Sequence, residues 1–381
     1  MSQINTNAIL DASGGTTATV NGFAPTVSNM AGRNRIINGD MRIDQRNAGA
    51  SVTPSTSAAS YAVDRFSFSV SQNSKCTTQQ NAGSVTPPSG FKNYWGCTVG
   101  ASANVTVGAG DYFGFQHRVE GNNLSDMGFG AVGAATFTIS FWVRSSVTGT
   151  FGFALQNGGQ TRSYATTYTI NSANTWEQKT ITIAGDTSGT WATDNTAGLI
   201  CTWGLGIGST YAIAAGSSWT TTSSPAGFGV TGTVQLIQTN SATFYITGVQ
   251  LEAGSVATPF EHRQYGQEEM LCKRYYQKYV GGSGAYGYIG ITMGVGNGTA
   301  LSSQFPFEQE MRATPSTSYD LTGMGVWDGA SLRAITAIST EYKNTKGMRI
   351  DIVVGGGGLT TGHSYSTYGS TSTVVQLNAE L

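Results

Sequence analysis

Apolar and polar positions alternate in short runs through the middle of the chain. Phe66, Phe68 and Val70 alternate with Ser67 and Ser69, and Phe137, Ile139, Phe141 and Val143 alternate with Thr138, Ser140, Trp142 and Arg144. A period of two sends successive side chains to opposite faces, so each run predicts a strand with one apolar face. Phe151, Phe153 and Leu155 resume the pattern after Val147-Thr148-Gly149, which predicts a hairpin with the preceding strand. Further strands are predicted at 180–183, 199–207, 234–237 and 244–251. Many short strands with Gly, Ser, Asn and Asp between them, and no helical period, predict an all-β chain whose residues 59–262 form an antiparallel β-sandwich, with a jelly roll as the leading form.

The flanks read differently. Residues 1–58 carry turn signals at Ser13-Gly14-Gly15, Asn21-Gly22 and Asn38-Gly39, and only small apolar pieces such as Ala8-Ile9-Leu10, Phe23 and Arg35-Ile36-Ile37. That is too little apolar matter for a core, so an extended arm is predicted, with Ile9, Leu10, Phe23, Ile36 and Ile37 as its contacts to a partner surface. A helix is predicted over 264–279, within a connector at 263–280: Glu268 and Glu269 sit in its first half, Lys273, Arg274 and Lys278 in its second, and Met270, Leu271, Tyr275 and Tyr279 share a stripe. After Gly281-Gly282-Ser283-Gly284 a second small β domain is predicted over 281–381, with strands near 288–293, 304–307, 335–338, 348–354 and 374–377 and a loop at Gly355–Gly358.

Composition narrows the function. Only 11% of the 381 residues are charged, against about 25% in an average protein, and glycine, at 52, is about twice its usual share. A surface of Ser, Thr, Asn and Gly loses few hydrated charges when covered by a second copy or by a sugar. The net charge of -1, with no basic run, gives no footprint for a phosphate backbone, so no nucleic acid partner is expected. No stretch of about 18 apolar residues is present, so no membrane insertion is expected. The first residues lack the charge and apolar core of a signal peptide, and synthesis in a cytoplasm is expected. Cys76, Cys97, Cys201 and Cys272 fit no zinc spacing; a Cys76–Cys97 disulfide is conceivable, but a reducing compartment favours buried free thiols.

Three groups of residues then carry a resemblance: the run from Asn34-Arg35-Ile36-Ile37-Asn38-Gly39-Asp40 to Asn47; Thr138-Ile139-Ser140-Phe141-Trp142-Val143; and Phe244-Tyr245-Ile246-Thr247-Gly248-Val249-Gln250-Leu251-Glu252-Ala253-Gly254 through Thr258-Pro259-Phe260-Glu261 to Cys272-Lys273-Arg274-Tyr275-Tyr276. With these the chain resembles tail-fibre-like and other virion appendage proteins of tailed bacteriophages. The resemblance implies a jelly roll similar to carbohydrate-binding modules, an N-terminal segment held by other virion proteins, a distal C-terminal unit, and a homotrimer residing in the virion. It brings no catalytic motif.

Six of the seven tryptophans, Trp95, Trp142, Trp176, Trp191, Trp203 and Trp219, fall in the predicted sandwich. Sugars stack their C–H faces on exposed rings, so Trp142, which points away from its apolar strand neighbours, and Trp95, Tyr94 and Tyr112, near loop edges, are the candidates for host-glycan contact; packing in a core or interface is the competing role. His117, His262 and His363 are far apart and match no metal motif, and Gly204-Leu205-Gly206-Ile207-Gly208 precedes no helix, so no metal, cofactor or nucleotide site is expected. Asp40 and Asp44 are expected to pair with Arg42, Arg46 or Arg65. Asp111, Glu120, Asp126, Asp186, Asp194, Glu252 and Glu261 supply carboxylates, but spacing selects no hydrolytic pair, and no rung repeat of a depolymerase is present. A non-enzymatic attachment fibre is therefore expected; a connector without a receptor and, further off, a polysaccharide depolymerase are the alternatives.

Overall fold

The computed structural model describes residues 32–282, 289, 294–296, 298–327, 329–356 and 358–381. Ile9, Leu10, Phe23 and nearly all of the strand expected near 288–293 lie outside them. The chain divides into two units between Arg263 and Gln264.

In chain order the strands of the first unit are β1 (Ser60–Val63), β2 (Phe66–Val70), β3 (Cys76–Gln80), β4 (Trp95–Val99), β5 (Tyr112–Glu120), β6 (Phe137–Ser145) and β7 (Gly149–Asn157). They continue with β8 (Arg162–Ile170), β9 (Glu177–Ile183), β10 (Ala197–Ile207), β11 (Ala212–Ile213), β12 (Thr220–Thr221), β13 (Gly229–Val230) and β14 (Thr243–Ala253). One antiparallel sheet runs β1-β2-β5-β10-β7-β8-β12 and the other β3-β4-β14-β6-β9, and their apolar faces meet to form the expected sandwich. The core is strongly aromatic. Trp95 stacks on Phe115 at 4.1 Å and meets Phe68 at 5.5 Å, while Trp203 packs on Phe153 at 4.9 Å and on Phe141 at 5.6 Å. Each such ring removes on the order of 150–250 Å² from water, so the cluster contributes strongly to the stability of the unit.

Three expectations are corrected here. β6 and β7 are not a hairpin: Gly149, at φ 124°, carries the chain from the smaller sheet to the larger, and Phe141 and Phe153 face each other across the core at 6.3 Å. Two successive strands that are both apolar on one face bury more by stacking than by pairing edge to edge. Residues 234–237 are not a strand; Leu236–Gln238 is a 3₁₀ turn. Residues 33–49 are not an arm, since Ile36, Ile37, Met41 and Ile43 are buried within this unit, and Ile36 and Ile37 are unavailable to a virion partner.

His117, on the core face of β5, lies 4.6 Å from the Phe66 ring. Burial first and the charge of Arg65 second hold its pKa well below the ordinary 6.5, against a weaker opposing pull from the Arg65 backbone. The folded state therefore keeps it neutral while the unfolded chain takes up a proton. Stability is fully present above pH 6.5 and falls as pH drops through that value towards the folded pKa, with a slope approaching ~1.4 kcal/mol per pH unit. Urea unfolding between pH 7.5 and 5 should show this decline, and His117→Leu should flatten it. Cys76, Cys97, Cys201 and Cys272 are all buried, and none forms a disulfide among the described residues.

The second unit opens with the helix α1 (Tyr265–Lys273), where Lys273 pairs with Glu269 at 3.6 Å and Glu308 at 2.6 Å. The helix stops six residues before the predicted end, because Tyr276–Val280 pairs as β15 with Val374–Asn378. Tyr276 and Tyr279 are buried by that pairing, and Met270 is left exposed instead of joining a stripe. Then come β16 (Gly294–Gly296), β17 (Ala300–Pro306), β18 (Ser316–Asp320), β19 (Gly325–Trp327), β20 (Leu332–Lys343), β21 (Gly347–Val354), β22 (Ser364–Tyr368) and β23 (Val374–Asn378). β16-β17-β21-β20-β19-β22 close into a barrel, and β15-β23-β18 form a separate sheet. Met348, Ile350, Ile352 and Val354 of β21 point inward and Arg349 and Asp351 outward, the alternation a small barrel needs.

Candidate functional site

The two most distinctive sequence segments lock into each other. Asn34 donates from Nδ2 to Val249 O at 3.2 Å, and its Oδ1 accepts from the Leu251 and Ile36 amides at 3.1 and 2.9 Å. Glu261 accepts from the Gly32 and Asn34 amides at 2.9 and 2.7 Å, and Arg263 donates to Ile36 O and Asn34 O. Asn38 bridges Ile43 O and Asp64 O, each at 2.9 Å. Of the acids near this segment, Asp40 pairs with Arg42 as expected, whereas Arg46 reaches Asp64 at 2.9 Å and Asp44 caps the turn at Asn47 and Gly49. The segment is a strap closing the sandwich.

The same lock fixes the exit from β14. Buried Glu252 accepts from the Thr258 amide and hydroxyl at 2.8 and 2.6 Å and from Gln250 Nε2 at 2.8 Å, and Gln250 Oε1 accepts from the Glu261 amide at 2.8 Å. Phe260 is thereby held on the outer face of the smaller sheet, 5.2 Å from Phe91 and 4.9 Å from His262. β14 bulges at Gly248, whose φ of 62° and close neighbours leave no room for a side chain: a Cβ there would stand 2.6 Å from the Phe91 ring and 3.1 Å from Trp142 Cδ1. Phe91 and Trp142 thus both rest on one glycine.

Trp142 is half-buried on this outer face. On its open side the register places Gln178 of β9 opposite Trp142 and Thr180 opposite Ser140, with Gln178 and Thr180 exposed. Phe91 and Phe260 form a wall on one side and hydrogen-bonding edge residues line the other. The indole N–H groups of Trp176, Trp191 and Trp219 donate to Thr86 O, Ser188 O and Ala184 O, and those of Trp95 and Trp203 are sealed in the core. The indole of Trp142 differs from these five: its N–H makes no hydrogen bond among the described residues and is not buried. The neighbouring carboxylate is already engaged. Burial works against ionisation of Glu177, but hydrogen bonds from Lys179, Ser172 and Asn171 prevail and hold it down to about 2.

The other candidates fall elsewhere. Trp95 is in the centre of the core, fully buried, and Tyr94 is buried with its hydroxyl donating to Ala82 O at 2.6 Å and accepting from the Val85 amide at 2.7 Å, so neither can meet a glycan. Tyr112 is half-buried on the outer face of the larger sheet, 4.8 Å from Tyr211 and 5.5 Å from Phe228. Those rings belong to residues 208–235, which roof that face: Phe228 lies on Gly114 and Val230 on Gly152. Tyr112 is a seam residue under this roof. Phe91, Gln178 and Phe260 were missed; a signal for Phe91 existed in Pro87-Pro88-Ser89-Gly90, a turn that presents the next residue at a loop tip.

No protein-family model and no curated protein matches the chain. Among solved structures it is similar to the enzymatically active domain of bacteriophage CBA120 tailspike protein 4, at 11% identity over 58% of this chain and 21% of that one, with a TM-score of 0.29. It is also similar to a family 11 carbohydrate-binding module of a Clostridium thermocellum cellulosomal cellulase, at 13% identity, 57% and 100% coverage and a TM-score of 0.27. A third likeness is to the N-terminal cellulose-binding domain of Cellulomonas fimi β-1,4-glucanase C, at 12% identity, 44% and 82% coverage and a TM-score of 0.21. The chain thus spans about a fifth of the tailspike chain. At these scores the functional reading rests on the chain's own residues.

Proposed function

We propose that the protein is a non-enzymatic attachment component of a bacteriophage virion, and that its sandwich binds a host-surface glycan at Trp142. The observation carrying the glycan reading is the outward indole of Trp142, with an N–H uncommitted among the described residues, between the Phe91–Phe260 wall and the polar edge of β9. A sugar ring laid on the indole would give its C–H face to the ring and its hydroxyls to Nε1, Gln178 and Thr180, the pairing of apolar and polar recognition that sugars require. The low charge of the surface limits the desolvation cost of such a contact. The virion assignment rests on the resemblance of the strap, β6 and β14 segments to tail-fibre-like proteins. Copies in a homotrimer would raise a weak single-site affinity by about 10² to 10⁴ where the sites engage together.

A glycan array probed with the full-length protein tests this. Trp142→Ala should weaken binding to any ligand found by about 30-fold, as expected for a central aromatic worth ~2 kcal/mol, in a protein that still folds. Binding that is indifferent to this substitution would remove Trp142 from the site; a folded protein silent on a broad array would favour a connector role.

A further inference from the structure

We propose a second, chemically different site on the outside of the barrel, selective for a sugar residue carrying a carboxylate. Adjacent strands place Gln304, Arg349 and Tyr342 side by side in register across β17, β21 and β20. All three alternate with inward residues, and they line a groove of about 450 Å³ together with Pro306, Asn344 and Lys346. Tyr342, next to last in β20 beside the turn to β21, is 62% exposed, although an aromatic ring ordinarily seeks cover.

The cations at this groove are arranged for an anion. Asp351 holds the guanidinium of Arg349 by one edge, with Nε at 3.3 Å and Nη2 at 3.1 and 3.2 Å, while Ser302 donates to Asp351 at 2.7 Å and accepts from Nη2 at 3.3 Å. Nη1 makes no hydrogen bond among the described residues. The guanidinium carbon lies 5.4 Å from the centre of the Tyr342 ring, which orients the group together with Asp351. Lys346 is exposed at the same groove, and its ammonium pairs with no acid among the described residues. One cation of the two is neutralised by Asp351, so the groove retains a net positive charge in a chain with few charges to place. A hexuronate fits this chemistry: its ring stacks on Tyr342, its carboxylate accepts from Arg349 Nη1 and the Lys346 ammonium, and its hydroxyls meet Gln304 and Asn344. The groove is built from barrel residues alone and is independent of the Trp142 surface.

The test is titration of the full-length protein with an oligogalacturonate, its methyl ester, which keeps the rings and removes the charge, and inorganic phosphate. The acid should bind at least 10-fold more tightly than the ester and weaken with salt. Tyr342→Ala and Arg349→Gln should each reduce its binding 10-fold or more, Lys346→Gln should reduce it less, and Trp142→Ala should leave it unchanged. Equal binding of acid and ester, phosphate binding as tightly as the oligosaccharide, or full binding by a folded Tyr342→Ala protein would each overturn the proposal. Loss of neutral-glycan binding in Trp142→Ala without any effect on the acid would separate the two sites.

Discussion

Asp186→Ala is expected to cost about 3 kcal/mol, the lower end of the range for removing one partner of a buried ion pair. Asp186 is buried and grips Arg162 by two parallel bonds, Nε to Oδ2 at 2.7 Å and Nη2 to Oδ1 at 2.8 Å. It also accepts from the Ser188 amide at 3.1 Å and its carbonyl accepts from Gly130 at 2.7 Å, so one residue ties the start of β8 to two loops at the end of the sandwich. Truncation strands the guanidinium, which keeps Thr221 at 3.0 Å and some water, and this keeps the loss from reaching ~5 kcal/mol. The replacement Arg162→Leu with Asp186→Leu should cost less than the single change, because no charge is then left unpaired. Chemical denaturation of the two variants measures the difference; a single variant as stable as the parent would show that the pair contributes nothing.

Gly39→Ala should be at least as damaging, at ~3 kcal/mol or more, for a different reason. A Cβ at position 39 would stand 2.1 Å from Val249 O and 3.2 Å from the Phe260 ring. The first contact is with backbone, so no rotamer change relieves it, and the Gly39 carbonyl accepts from the Val249 amide at 2.9 Å in the same place. The strap would be pushed off β14, and the displacement would reach Phe260 and the wall beside Trp142. The substitution should therefore lower both the denaturation midpoint and glycan affinity, whereas Gly49→Ala, with open space around its Cβ position and a positive φ, should cost only local strain. Equal stability of Gly39→Ala and the parent would mean that the strap does not hold the sandwich closed.

What the sequence disclosed follows from what periodicity can report. The outward position of Trp142 was legible because Phe137, Ile139, Phe141 and Val143 alternate around it and fix the phase of the strand. The inward position of Trp95 was equally legible, since it alternates with Gly96 and Thr98 and shares a face with Cys97 and Val99; what local pattern does not record is its packing on Phe68 and Phe115 from another sheet. The strap at 33–49 looks like an arm in sequence because it buries only four apolar side chains and is fixed by Asn34, Asn38 and Glu261 bonding to distant backbone groups, which no local pattern records. The short end of α1 belongs to the same class: the charges suited a longer helix, but pairing of Tyr276–Val280 with β23 won. The surface around Trp142 draws on four separate segments, at 91, 142, 178 and 260, so only Trp142 could be named from the sequence.

Glycan contact at Trp142 is read directly from the indole N–H spectrum of the ¹⁵N-tryptophan-labelled protein, titrated with a neutral oligosaccharide that it retains on an array. The Trp142 resonance, assigned by its disappearance in Trp142→Phe, should shift progressively with ligand while those of core Trp95 and Trp203 stay in place. Saturable binding that leaves the Trp142 resonance unmoved would contradict glycan binding at Trp142.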